Sequence, residues 1–108
     1  MEYPPKTFKI YQEGELSVVG FRSGADLHRL DLALCREELA KLVEENQCQF
    51  LAFDLTNIRV FPSGMLGLLA SLRRLNVEVH LYNASADIVE VLEITGLKRF
   101  LKLHEVSL

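Results

Sequence analysis

Few side chains in this sequence are equipped for chemistry, and their spacing narrows what they can do. Cys35 and Cys48 stand thirteen positions apart with no C-x-x-C pair, and His28, His80 and His104 fall at no metal-ligand spacing with them. The cysteines read as partly buried thiols of a reducing compartment; a disulfide would need a fold that brings them together. No nucleophile is set beside a base, and no Walker-type phosphate loop occurs, so an enzyme is not expected and neither a metal nor a cofactor is called for. The remaining candidates gather around one stretch. Asp54 sits in an apolar run, either as an acid of raised pKa or, more simply, as an acceptor for the adjoining loop. Ser63, between Pro62 and Gly64 and ahead of an apolar run, is placed to cap a helix. Arg59 stands beside the same loop, where a guanidinium suits an anionic partner group. Arg73 and Arg74 fit either a helix end or an acidic partner. His80 falls on the polar side of an alternating strand, a surface or half-buried histidine rather than a general base.

These residues are positioned by elements whose order is written in the apolar period. Phe8 and Ile10 alternate with Lys9 and Tyr11, Gly14 interrupts, and alternation resumes over 16–21, which predicts a hairpin around Glu13 and Gly14. From 30 to 45 the period becomes helical, with Asp31 as N-cap and Leu32, Cys35, Leu39, Leu42 and Val43 on one stripe. Residues 50–55 form a near-continuous apolar run, as in a strand covered on both faces. Met65, Leu66, Leu68, Leu69, Leu72 and Leu75 repeat at helical spacing, with Arg73 and Arg74 in the last turn and with Gly64 and Gly67 allowing close approach to a sheet. A strand over 77–82 puts Val77, Val79 and Leu81 on one face. A helix capped by Ser85 follows, with Ile88, Val91, Leu92 and Thr95 inward and Gly96 as its left-handed stop. Leu101, Leu103 and Val106 suggest a last short strand, and 23–30 a short additional one. Strands separated by helices pair in parallel through right-handed crossovers, while the hairpin adds antiparallel character. The expected fold is α/β: a single mixed β-sheet of four to six strands with three or more helices packed against it, over residues 7–108 after a tail at 1–6.

Composition sets the outer bounds. In 108 residues, 12 Lys and Arg against 15 Asp and Glu give a formal charge of −3, which argues against a nucleic-acid binder needing a basic face. The longest stretch without a charge, 60–72, holds a proline and two glycines and is too short to cross a bilayer as a helix. The first residues show no basic and apolar signal pattern, so a cytoplasmic chain without membrane insertion is expected.

Four segments in register then point further. LAFDLTNI at 51–58 is similar to a strand written LVLDLSGV, and VFPSGMLGLL at 60–69 to a loop and helix written FIDSSGLGALL. VEVHLYN at 77–83 is similar to an LxLxN strand, and VLEITGL at 91–97 to VLExTGL. Together they resemble the STAS domain, the family of anti-sigma factor antagonists and of the cytoplasmic tails of sulphate transporters. The close likeness covers about half the chain; the N-terminal half matches in element order. The resemblance implies a non-catalytic protein-binding module whose partner is a kinase-like anti-sigma factor, with a homodimer possible. It implies a contact surface of Asn57, Ile58, Arg59, Pro62, Ser63, Gly64, Met65 and Gly67. It also implies a serine in the loop that a partner kinase phosphorylates. At a helix N-terminus free N–H groups accommodate a phosphate, and the added charge, about −1.5 to −2, changes the contact surface. Aligned on Leu66 and Gly67, however, Gly64 matches the usual acceptor serine, Met65 the family glycine, Ser63 the first serine and Pro62 the aspartate. Either Ser63 takes the phosphate after a one-residue shift, or this control is lost, which is the preferred expectation because the shift turns a helical side chain by about 100°. Met65 is then either a soft apolar contact beside the loop or core packing. A second expectation keeps the fold but assigns a scaffold or an accessory subunit of a stress-signalling or membrane transport complex.

Overall fold

The computed structural model describes residues 8–21, 31–58 and 61–105. The expected tail at 1–6, the additional strand at 23–30, and the positions of Arg59, His28 and Val106 lie outside these residues. The chain runs β1 (Phe8–Gln12), β2 (Leu16–Phe21), α1 (Leu32–Asn46), β3 (Phe50–Asp54), α2 (Ser63–Ser71), β4 (Glu78–Tyr82), α3 (Ala86–Thr95) and β5 (Lys102–His104). The hairpin has no Asn-Gly turn; Gly14, at φ 147°, makes the bend. The fully buried Ser17 closes it, its hydroxyl donating to the Gly14 carbonyl (2.9 Å) and accepting the Gly14 N–H (3.2 Å).

Local chemistry accounts for the helix ends. Asp31 Oδ1 accepts the N–H groups of Ala33 (3.0 Å) and Leu34 (3.2 Å), and Ser85 Oγ accepts that of Ile88 (3.2 Å). Gly96 stops α3 at φ 77°, a conformation without steric cost for glycine. α2 is shorter than its leucine pattern implies. It tightens after Ser71 into a 3₁₀ turn, Leu72–Leu75, which carries Arg73 and Arg74. Thr95 is exposed rather than inward; its hydroxyl donates to the Val91 carbonyl at 2.7 Å.

The five strands lie in the order β1-β2-β3-β4-β5, antiparallel between β1 and β2 and parallel elsewhere. Sequence order and spatial order coincide, so right-handed crossovers place α1, α2 and α3 in one layer on one face. α1 packs on α2, and α2 on the 3₁₀ turn Leu97–Phe100 that follows α3. Val19, Leu51, Phe53, Val79 and Leu81 point from the sheet into this layer, against Cys35 and Leu39 of α1, Met65, Leu66 and Leu69 of α2, and Ile88 and Leu92 of α3. Among the described residues the helices cover one face of β3. On the other face Phe50 is 38% exposed but Ala52 is buried, so the middle of the strand, Leu51 to Phe53, is covered on both sides.

Candidate functional site

Parallel strands send their C-terminal ends to one rim, and there the loop after β3 leads into α2. Asp54 closes β3 as an acceptor: its Oδ1 takes the backbone N–H (3.0 Å) and the hydroxyl (2.6 Å) of Thr56. Asn83, following β4, donates from Nδ2 to Thr56 Oγ1 at 3.1 Å. The Leu55 N–H donates to the Tyr82 carbonyl (2.9 Å), and the Ile58 N–H to that of Leu55 (3.0 Å). Asn57 and Asn83 take left-handed conformations, φ 67° and 62°, which asparagine tolerates better than most residues. The two loops are thus fastened to each other and to the sheet. Further along, Phe61 is buried with its ring edge-on to Phe21 (5.1 Å between centroids), anchoring the chain just before the helix.

The helix start differs from the expected cap. Pro62, extended at φ −59° and ψ 137°, is the N-cap, and Ser63 is the first helical residue. The Pro62 carbonyl accepts the N–H groups of Met65 (3.0 Å) and Leu66 (3.4 Å), and no side chain caps the end. Ser63 is consequently exposed and makes no capping bond. A helix end without a capping side chain retains the donor groups that favour an anion. Asn57 and Gly64 are exposed as well, Ile58, Pro62 and Gly67 are half-buried, and Met65 is wholly buried. Of its two expected placements, Met65 occupies the core: it backs the loop and presents nothing to a partner. Arg59 lies outside the described residues.

The glycines part company. A Cβ on Gly67 would meet nothing within 4 Å, so close approach to the sheet does not require it. A Cβ on Gly64 would lie 2.7 Å from Cδ1 of Leu32, the first residue of α1. The space beside the position matched to the family's acceptor serine is occupied by a leucine. Leu32 was not recognised as a site residue, although a signal existed: Leu32 and Leu34, two apart, cannot share one helix face, and both are partly exposed. Thr56 and Asn83 were missed because they meet only through the pairing of β3 with β4. Placing serine at 64 moves Leu32 and gains helix propensity over glycine, so Gly64→Ser is expected within about 0.5 kcal/mol of neutral. The contact emerges in a cycle with Leu32→Ala, where a coupling of about 1 kcal/mol is expected from urea unfolding of the four proteins; zero coupling would place Leu32 elsewhere.

Other candidates lie away from this rim. Arg73 and Arg99 stack on Phe100, 4.0 and 4.8 Å from its centroid, beside a groove at the opposite rim that includes Gln49 and Glu78. Cys35 and Cys48 are both buried and are not joined by a disulfide. Among the described residues no three His, Cys, Asp or Glu side chains are grouped to hold a metal ion, and no helix is long and apolar enough to cross a membrane.

Comparison with known proteins agrees with this architecture. The family model described as the STAS domain matches residues 17–107. No curated protein matches the chain. Among solved structures, the anti-sigma factor antagonist SpoIIAA in its unphosphorylated form superposes with a TM-score of 0.72 at 15% identity, over 93% of this chain and 88% of that one. The NMR structure of the protein TM1081 gives 0.77 at 12% identity, over 98% and 86%. The Bacillus cell fate determinant SpoIIAA in its phosphorylated form gives 0.64 at 16% identity, over 93% and 91%. At these identities the likeness is one of fold.

Proposed function

Because this chain belongs to the STAS domain family, we propose that it is a non-catalytic regulatory module that docks a kinase-like anti-sigma factor through the loop and helix start at 58–67. The observation that carries this reading is the uncapped start of α2, with Ser63 and Gly64 exposed above a fully buried Met65. A rigid base under an accessible turn presents a contact surface with little ordering cost on binding. The fold is shared with an antagonist solved in phosphorylated and unphosphorylated forms. In this chain, docking is constitutive. Position 64 has no hydroxyl and Leu32 fills the space beside it, while Ser63 is displaced by one residue around the helix.

Capture by the kinase-like anti-sigma proteins of the source genome tests the reading. Gly64→Glu is expected to weaken a captured partner at least about tenfold, roughly 1.4 kcal/mol, because it adds charge and bulk at the centre of the turn. Ser63→Ala leaves binding within about twofold. Failure of every such protein to bind overturns the docking assignment. Phosphate on Ser63 after incubation with a bound partner and ATP overturns constitutive docking alone. The absent acceptor hydroxyl also favours a second reading, a scaffold or accessory subunit of a stress-signalling or membrane transport complex. A transporter ATPase encoded beside the gene, with co-purification of the two proteins, would select it.

A further inference from the structure

The sheet face away from the helices carries a line of rings across β3, β4 and β5: Phe50, His80, His104 and Tyr82. Their order follows from register. His80 pairs with Lys102 and Tyr82 with His104, so His80 and His104 are diagonal neighbours on adjacent parallel strands. His80 Nδ1 and His104 Nε2 are 2.7 Å apart. The ring planes differ by 15° and the centroids by 4.9 Å. That separation is the nitrogen–nitrogen distance plus about two ring radii, so the imidazoles meet head to head in nearly a common plane rather than stacking face on face. One nitrogen must donate and the other accept; the contact requires one proton between the rings.

The surroundings select the arrangement. His80 Nε2 is buried, and Glu78 Oε1 lies 3.2 Å from it, beside the nitrogen but out of line for a hydrogen bond. The carboxylate favours a proton on Nε2, leaving Nδ1 as the acceptor for the Nε2–H of His104. Tyr82 stacks on His104 (4.6 Å, 15°), and the Phe50 and His80 rings meet edge to face (6.1 Å). Lys102 is on the same face directly across from His80, and Asp54, directly across from Tyr82, is engaged by Thr56. One added proton can reside on His104 Nδ1 without disturbing the contact. A second, on His80 Nδ1, would set two N–H groups against each other in a gap of hydrogen-bond length, with Lys102 alongside.

We propose that the His80–His104 pair is an acid-sensitive clasp, holding β5 on the sheet when one proton is shared and releasing it when both inner nitrogens are protonated. β5 is suited to such release: it is a three-residue strand that, among the described residues, has a neighbour on one side only. It follows the 3₁₀ turn Leu97–Phe100, so opening uncovers Leu81 and Leu103 without requiring the central strands to part. Opening frees His80 Nδ1 for a proton that the closed contact leaves no room for, so acidification favours opening.

Hydrogen exchange of the β5 amides, corrected for intrinsic rates, tests this on the whole chain. The opening constant is expected to rise by up to about tenfold per pH unit below the histidine range, the linkage slope for one proton, while amides of β3 remain protected. His104→Gln, which retains a donor toward His80 without titrating, is expected to flatten the rise. An equal rise in that variant, or no rise in the wild type, overturns the proposal. Scalar coupling between His80 Nδ1 and His104 Nε2 in the wild type gives a readout independent of variants. It should be present at neutral pH and disappear as β5 opens, and its absence at neutral pH would likewise overturn the clasp.

Discussion

Truncating Met65 to alanine is expected to lower folding stability by about 2–5 kcal/mol, the range for removing a long apolar side chain from a packed interior. Met65 has no exposed surface and lies among Leu66, Leu69 and the inward residues of the central strands. Two residues earlier, Ser63 is exposed and caps nothing, so Ser63→Ala should remain within about 0.5 kcal/mol of the parent. Urea unfolding with an unchanged denaturant slope separates the two. The contrast bears on the docking surface itself. If Met65→Ala were harmless to stability and damaging to binding, Met65 would face the partner, and the turn would have to be arranged differently. With the expected result, Ser63 and Gly64 form the accessible surface and Met65 maintains its shape.

Phe53→Ala is expected to cost about 3–5 kcal/mol, whereas Phe50→Ala should cost about 1 kcal/mol or less. Both phenylalanines belong to β3, three residues apart, and therefore point to opposite faces. Phe53 is fully buried under the helix layer, with the Phe8 ring edge-on at 6.2 Å. Phe50 is 38% exposed on the ring-lined face, its ring tilted 61° to that of His80. Thermal unfolding of the two variants reads out how unequally the faces of the sheet are covered. Equal and large losses would mean that the second face is also buried in the folded protein, contrary to the single-layer arrangement.

Local chemistry made much of this molecule legible in its residues. Helical period located α1 and α3, Asp31 and Ser85 marked their starts, and Gly96 marked a stop, because capping and amphipathicity act over three or four residues. Alternation located β1, β2 and β4, and the acceptor role of Asp54 followed from an acid meeting a loop. The helix start after Pro62 was legible as a turn, but the N-cap position was assigned one residue late: Pro62 occupies it, Ser63 is already helical, and no side chain caps the end. The continuous run of β3 announced burial, and Leu51, Ala52 and Phe53 are indeed buried on both faces. It did not announce which face the helices cover. Strand order puts all three helices on one side here, and strand order is not a local property.

What sequence by itself determined was the order of the elements, the caps of α1 and α3, and the family to which they belong. Tertiary structure alone decided that Met65 faces the core, that Leu32 occupies the space beside Gly64, and that His80 meets His104 across two strands. The physical reason is the range of the forces involved. Helix and turn signals are satisfied within a few residues of backbone, whereas the Leu32 and Gly64 contact spans 32 positions and the imidazole contact 24. Such contacts exist only after the crossovers have set which faces and rims come together.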